Sequence, residues 1–201
     1  MWTRFLIPAC LAIALMLGCS QNVFIYHTSL PENTERYWIG PELWANRLQD
    51  WRIKDGRIEC IGGQQPLRTV HLLTRTLTET TGDVQMRVHT GLISKGSALN
   101  REAWSGFLIG AGALDLDYRA RAIIHLGRGK NAGLAAGLDG QGHLVFYDLE
   151  QEESFLKADS RTGHTFVRKP GEDVTLQLFL RPDGDNYVMS LTAYDATTGD
   201  L

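Results

Sequence analysis

Charged and apolar residues alternate along the segment LDLDYRAR, which makes it a strong candidate in the sequence for polar chemistry. Alternate residues of a β-strand lie on one face, so two carboxylates and two guanidinium groups would face the same way. Such a face suits a polar ligand, or its carboxylates suit calcium with help from carbonyl oxygens. The alternative is a solvated face whose charges neutralise one another. The residues are Asp115, Asp117, Arg119, Arg121 and, just beyond with the same parity, His125.

Tryptophans supply a second candidate. A flat indole ring stacks on the apolar face of a sugar ring, so Trp44, Trp51 and Trp104 are able to form an aromatic platform. The alternative is that they anchor the core, because aromatic side chains bury large areas, and this is favoured most for Trp51. We therefore predict a ligand site, with a glycan as its ligand. The predicted residues are Trp44, Trp104, Asp117, Arg119, Arg121 and His125.

The sequence contains no recognisable group of catalytic residues. The six histidines are scattered, and none lies in the Asp-x-His or Gly-Asn-His setting of a two-metal site. Glu59 and Glu102 are candidates for the paired carboxyl groups of glycoside hydrolysis, but nothing around them marks them for that role. Residues 127–130 lack the Gly-Lys-Ser/Thr ending and the helix pattern of a phosphate-binding loop. We predict no catalytic residue, no metal and no cofactor.

The bulk composition fits an ordinary globular domain. Hydrophobic residues make up 43% of the 201 residues, which suffices for a core. The net charge of −3 argues against a nucleic-acid partner, which would usually require a basic face. Glycines fall between apolar runs, as in turns, and this favours many short strands over long helices.

The N-terminus indicates export. The apolar run of residues 5–17 is shorter than the ~20 residues of a membrane span and fits a signal peptide. Residues 16–19, MLGC, resemble the lipobox of bacterial lipoproteins, which implies a lipid on Cys19, attachment to a membrane and a place in the bacterial cell envelope, on the periplasmic or extracellular side. The alternative is an ordinary signal cut near Gly18, or an uncut anchor. With Cys10 in the leader and a lipid on Cys19, Cys60 would be the only thiol of the mature chain, and we expect it to be a small buried hydrophobe.

Strand patterns follow the leader. Asp55-Gly56 between alternating runs predicts a hairpin, and a second hairpin is predicted over residues 132–147. Residues 83–90 alternate, as do 174–181 and 187–194, the last two as partners. One turn of helix is predicted at residues 40–46.

These elements predict an all-β, antiparallel two-sheet sandwich over residues 36–201, after a signal peptide at 1–19 and a tether at 20–35. The last residues of the given sequence predict a turn that leads into a further strand, which the given sequence does not include. Ending there would leave an apolar strand face and an edge uncovered. We expect the sandwich to be incomplete at its C-terminus.

The pattern WxxxDGxIxCxGG at residues 51–63, with LLT at 72–74 and GDVQMRV at 82–88, resembles concanavalin A-like jelly rolls, among them the 3-keto-disaccharide hydrolase domain. The run YWIGPELWANRLQDWRIKDGRIEC at 37–60 resembles the N-terminal region of bacterial alkaline phosphatase D-like proteins. That resemblance implies a jelly roll that precedes a missing C-terminal phosphoesterase domain.

Three hypotheses follow from these patterns. The first is a non-catalytic exported module that binds a glycan or orients the missing domain. The second is a sandwich glycoside hydrolase of the 3-keto-disaccharide type, and the third is a purely structural sandwich.

Overall fold

The computed structural model describes residues 24–63, 68–78, 82–93, 103–112, 129–151 and 172–196. These residues contain β-strands and one turn of 3-10 helix, η1 (Leu48–Asp50), and no α-helix lies among them. The strands are β1 (Glu35–Arg36), β2 (Leu43–Ala45), β3 (Trp51–Lys54), β4 (Arg57–Cys60), β5 (Val70–Leu72), β6 (Val84–Thr90), β7 (Trp104–Ile109), β8 (Leu134–Asp139), β9 (Leu144–Asp148), β10 (Val174–Asp183) and β11 (Asn186–Asp195). Every pairing between them is antiparallel, which confirms the predicted all-β class.

The N-terminal part contains the predicted Asp55-Gly56 hairpin. Asp55 (φ 47°) and Gly56 (φ 76°) both adopt the left-handed backbone that a two-residue hairpin turn requires, and they join β3 to β4. Strand β1 pairs with the other edge of β3. Ile39, Ala45 and Ile53 form the buried centre of this region, with Trp51 packed against it.

The helical turn predicted at residues 40–46 is wrong. Strand β2 instead pairs with β5, with Leu43 opposite Leu72 and Ala45 opposite Val70. Leu43 and Val70 pack against the buried Ala45 cluster, so tertiary burial outweighs the local helical preference of a Gly-Pro start.

One arginine side chain, that of Arg75, contacts the segment before β1 and holds it against the N-terminal part. The guanidinium of Arg75 lies 4.0 Å from the ring centroid of Phe24 and 5.5 Å from that of Tyr26. The Tyr26 hydroxyl donates to Glu42 Oε2 at 3.0 Å. These contacts, which we term the N-terminal clasp, hold the chain in place from Phe24 onward.

The largest sheet has the order β11-β10-β6. The hairpin of β10 and β11 turns at Gly184 (φ 60°) and Asp185, where a turn was predicted. Pro182 lies in the strand, opposite Tyr187, rather than in the turn. Because β6 extends only as far as Leu180, Pro182 lies where β10 has lost one neighbouring strand, and proline is tolerated there.

The sheet β7-β8-β9, one of three three-stranded sheets among the described residues, contains the other predicted hairpin, whose turn includes Gly142 (φ 88°). At its centre Gly106 of β7 lies opposite Gly137 of β8. The two strands approach so closely there that a side chain at either position would overlap the backbone of the other strand.

The two three-stranded sheets β11-β10-β6 and β7-β8-β9 pack face to face. A single buried cluster contains inward side chains of both: Phe107, Ala136 and Leu138 from one sheet, and Val174, Leu176, Leu178 and Ala193 from the other. This shared core gives the molecule the character of a β-sandwich. It also confirms that Val174, Leu176, Leu178 and Leu180, predicted to point one way, are buried together on one side of β10.

Within the described ranges, no helix is long and apolar enough to cross a membrane. The predicted leader at residues 1–19 lies outside those ranges, as do the first residues of the predicted tether.

Candidate functional site

The side of the sheet β11-β10-β6 that faces away from the core carries mainly polar side chains. Strand registers place these outward residues in three rows across the sheet, each with one residue from β6, β10 and β11. The rows are His89, Thr175 and Tyr194; then Arg87, Gln177 and Thr192; then Gln85, Phe179 and Ser190. We term these nine residues the polar face.

Gln177 lies at the centre of the polar face and organises it. Its Oε1 atom accepts hydrogen bonds from Arg87 Nε at 3.1 Å and Arg87 Nη2 at 2.6 Å. It also accepts one from the Tyr194 hydroxyl at 3.0 Å. The guanidinium carbon of Arg87 is 6.0 Å from the Tyr194 ring centroid. Three side chains from three strands therefore hold one another in fixed orientations.

A second polar contact supports the neighbouring row. Thr175 Oγ1 lies 2.7 Å from His89 Nδ1, within hydrogen-bond distance. Thr175 is almost completely buried, although it lies on the outward side of β10. Because its hydroxyl is paired, this burial leaves no unsatisfied polar group at that atom.

The polar face carries a positive charge and no negative charge. Its nine residues include the guanidinium of Arg87 and the imidazole of His89 but no carboxylate. Carboxylates lie at both ends of this sheet, outside the nine residues: Asp173 Oδ1, just before β10, is 3.9 Å from Arg57 Nη1, and at the far end Arg181 Nε and Asp83 Oδ2 are 4.0 Å apart. The centre of the face thus has net positive character.

The structure places the two predicted tryptophans in different sheets. Trp44 is half-buried on β2, opposite His71 of β5. Trp104 begins β7, with its ring centroid 5.8 Å from that of Tyr147, and packs against a small buried cluster that includes Ala135. The other predicted ligand residues, Asp117, Arg119, Arg121 and His125, lie outside the described residues, as does Cys19.

Trp51 packs against the N-terminal cluster, and its Nε1 donates to the carbonyl oxygen of Asn46 at 3.1 Å. This hydrogen bond satisfies the indole N–H of a ring that is half-buried. The position agrees with the core role that was favoured for Trp51.

Glu59, considered for glycoside hydrolysis, is part of an ion-pair network. Its Oε2 lies 2.7 Å from Arg52 Nε, while Arg52 Nη1 lies 2.7 Å from Glu35 Oε1. The hydrogen bond to Glu59, followed by the nearby negative charges of Glu59 and Glu35, raises the pKa of Arg52. A carboxylate held in this way is a structural partner of Arg52 rather than a poised general acid.

Among the residues that the structure describes, no three or more His, Cys, Asp or Glu side chains are grouped so as to hold a metal ion. The side chains of the polar face offer hydrogen bonds, a positive charge and aromatic rings to a ligand.

Cys60 lies on β4 opposite Trp51 and is half-buried. Burial raises the pKa of its thiol, and the nearby Asp50 carboxylate acts in the same direction. The folded protein therefore holds the proton more tightly than the unfolded chain does. The contribution of Cys60 to stability is complete below the unfolded pKa of about 8.5 and is lost as the pH rises from there through the folded value.

We expect Cys60 to react with a chromogenic disulfide reagent several-fold more slowly than free cysteine at pH 8, since the thiolate is the nucleophile. The measurement uses a chain with Cys10→Ser and Cys19→Ser. Reaction as fast as that of free cysteine, without unfolding, would contradict the inferred burial.

Sequence reasoning did not identify the central residues of the polar face as a site. The alternation of residues 83–90 did place Gln85, Arg87 and His89 together on the side away from the core. What the sequence could not supply was the register that brings Arg87 beside Gln177, 90 residues further along the chain.

The fold and the polar face define the class: an all-β protein of antiparallel sheets with sandwich packing. Searches against family models, curated proteins and solved structures give no match. The function is therefore inferred from the residues of the polar face.

Proposed function

We propose that this chain is an exported, non-catalytic β-sandwich module that binds a glycan on its polar face. The observation that carries the proposal is the mutual fixing of Arg87, Gln177 and Tyr194. Sugars present many hydroxyl groups, and planar guanidinium and amide groups are well suited to hydrogen-bond them. Side chains that are already held in place lose less entropy when a ligand binds.

Aromatic rings on the same face support this proposal. Tyr194 stands in the first row, and the ring of Phe179 in the third row is 38% exposed. Rings of this kind offer flat apolar surfaces against which the apolar face of a sugar can stack. Polar groups held in place beside one half-buried and one exposed aromatic residue are a combination that suits a carbohydrate.

The finer family assignment belongs to the same proposal. We infer a concanavalin A-like jelly roll, resembling the N-terminal region of alkaline phosphatase D-like proteins, which continues into a C-terminal phosphoesterase domain. The module would present a glycan or orient that domain. A lipid on Cys19 would attach the protein to a membrane of the bacterial cell envelope.

The test is a glycan array followed by calorimetry on the full chain, carrying Cys19→Ser so that no lipid is attached. We expect at least one glycan to bind, with Gln177→Ala weakening that binding about tenfold, because Arg87 and Tyr194 both lose their acceptor. Trp104→Ala, on the other sheet, is the matched control and should leave affinity unchanged. Binding that is lost with Trp104→Ala and kept with Gln177→Ala would move the site to the surface around Trp104 and Tyr147.

A further inference from the structure

We propose that the glycan bound by the polar face is anionic, and that Arg87 binds its acidic group. This inference rests on the proposed glycan-binding function and names the class of sugar. It depends on two observations of different kinds, the charge of the face and the direction of its remaining hydrogen-bonding groups.

Arg87 is surrounded on the polar face by side chains that carry no negative charge. On the nine-residue polar face no carboxylate balances the guanidinium of Arg87. Several other arginines in the described ranges do have acidic partners: Arg52 contacts Glu35 and Glu59, and Arg181 approaches Asp83. Arg87 is instead paired with a neutral amide, so its positive charge remains available to a ligand.

The hydrogen bonds of Gln177 decide which groups are left to bind a ligand. Its Oε1 atom already accepts three hydrogen bonds, two from Arg87 and one from Tyr194. The arginine donors also fix which end of the amide is oxygen, since the NH₂ group could not accept them. The groups of this pair that these hydrogen bonds leave over are donors: Nη1 of the guanidinium and the Nε2 group of Gln177. A cluster of donors with a positive charge matches an acceptor-only anion such as a carboxylate or sulfate.

The geometry also favours specific recognition over a loose surface charge. Arg87 is held through Nε and Nη2, so the plane of its guanidinium is set by Gln177. A guanidinium fixed in a plane offers N–H groups in a rigid fork that fits planar or tetrahedral oxyanions. A lysine at this position would supply the charge without the fork.

The experiment compares tetragalacturonate with its carboxyl-reduced, neutral counterpart by calorimetry on the Cys19→Ser chain. A sulfated galactan oligosaccharide forms a third arm that separates a carboxylate from a sulfate ligand. We expect at least one anionic oligosaccharide to bind about tenfold or more tightly than the neutral one. Its affinity should fall as salt is raised, because exposed charges are screened.

Variants assign this preference to Arg87. Arg87→Gln should remove the preference for the anionic sugar, and Arg87→Lys should retain only part of it. Arg181→Gln removes an equal charge from the end of the same sheet and should change affinity less than about twofold. Thermal unfolding of each variant checks that the fold is intact, and Arg87→Lys keeps the test valid if Arg87→Gln is unstable.

Two outcomes would overturn the inference, and they differ in whether the proposed glycan binding survives. Equal binding of the anionic and neutral sugars, or a preference that survives Arg87→Gln, would exclude the acidic ligand while leaving glycan binding in place. Failure of every oligosaccharide and of the array to bind would remove the proposed function and this inference with it.

Discussion

Replacing Gly137 with alanine is expected to lower the free energy of unfolding by about 3 kcal/mol or more. A Cβ atom at this position would overlap the carbonyl group of Ser105 on the adjacent strand, with the Ser105 carbonyl carbon at 2.9 Å and Gly106 Cα at 3.1 Å. These neighbours are backbone atoms of β7, which cannot move aside as the end of a flexible side chain can. The strands would have to separate in the middle of a sheet that forms one half of the core.

The measurement is urea unfolding followed by tryptophan fluorescence, with Gly82→Ala as the matched control. A Cβ atom at Gly82 meets nothing within 4 Å, so the control should be neutral or slightly stabilising. If Gly137→Ala were as stable as Gly82→Ala, the close approach of β7 and β8 would be incorrect. Gly106→Ala probes the same contact from the other strand and should behave alike.

Leu178→Ala is expected to cost about 2–5 kcal/mol of unfolding free energy. Leu178 is completely buried, lies in the middle of β10 between Met86 of β6 and Leu191 of β11, and belongs to the cluster that joins the two large sheets. Truncation removes buried methyl groups and leaves a cavity that strands paired on both sides cannot readily collapse to fill.

Val188→Ala provides the contrast within the same sheet. Val188 is on β11 and is 51% exposed, so its truncation should cost less than about 0.5 kcal/mol. Thermal and urea unfolding of both variants give the difference directly. Similar losses for the two variants would mean that the inward side of β10 is not covered by the second sheet.

The fold was predictable from the sequence wherever local chemistry decides it. Asp55-Gly56 demands a left-handed turn, and the alternation of residues 174–181 shows which side of β10 is buried. Short strands were harder to predict. Strand β2 has three residues and a helix-like start, and only its pairing with β5 and burial near Ile39 make it a strand.

The candidate site was harder to predict from the sequence than the fold was, for a related reason. Arg87 and Gln177 become neighbours only through the register of β6 against β10, and no local pattern encodes that register. The tryptophans drew attention because their type is distinctive, yet Trp44 and Trp104 belong to different sheets. A site assembled from ordinary side chains on distant strands has no signature in a single sequence.

On the proposal that Cys19 carries a lipid, the N-terminal clasp would limit the distance between the domain and that lipid. Five peptide steps separate Cys19 from Phe24, the first residue held against Arg75, and a fully extended chain covers at most about 18 Å over that distance. Under that proposal, this short connection would keep the domain, and the glycan proposed to bind it, close to the bilayer surface. Arg75→Ala would weaken the N-terminal clasp and so lengthen the unattached segment after Cys19, and it would leave the residues of the polar face unchanged.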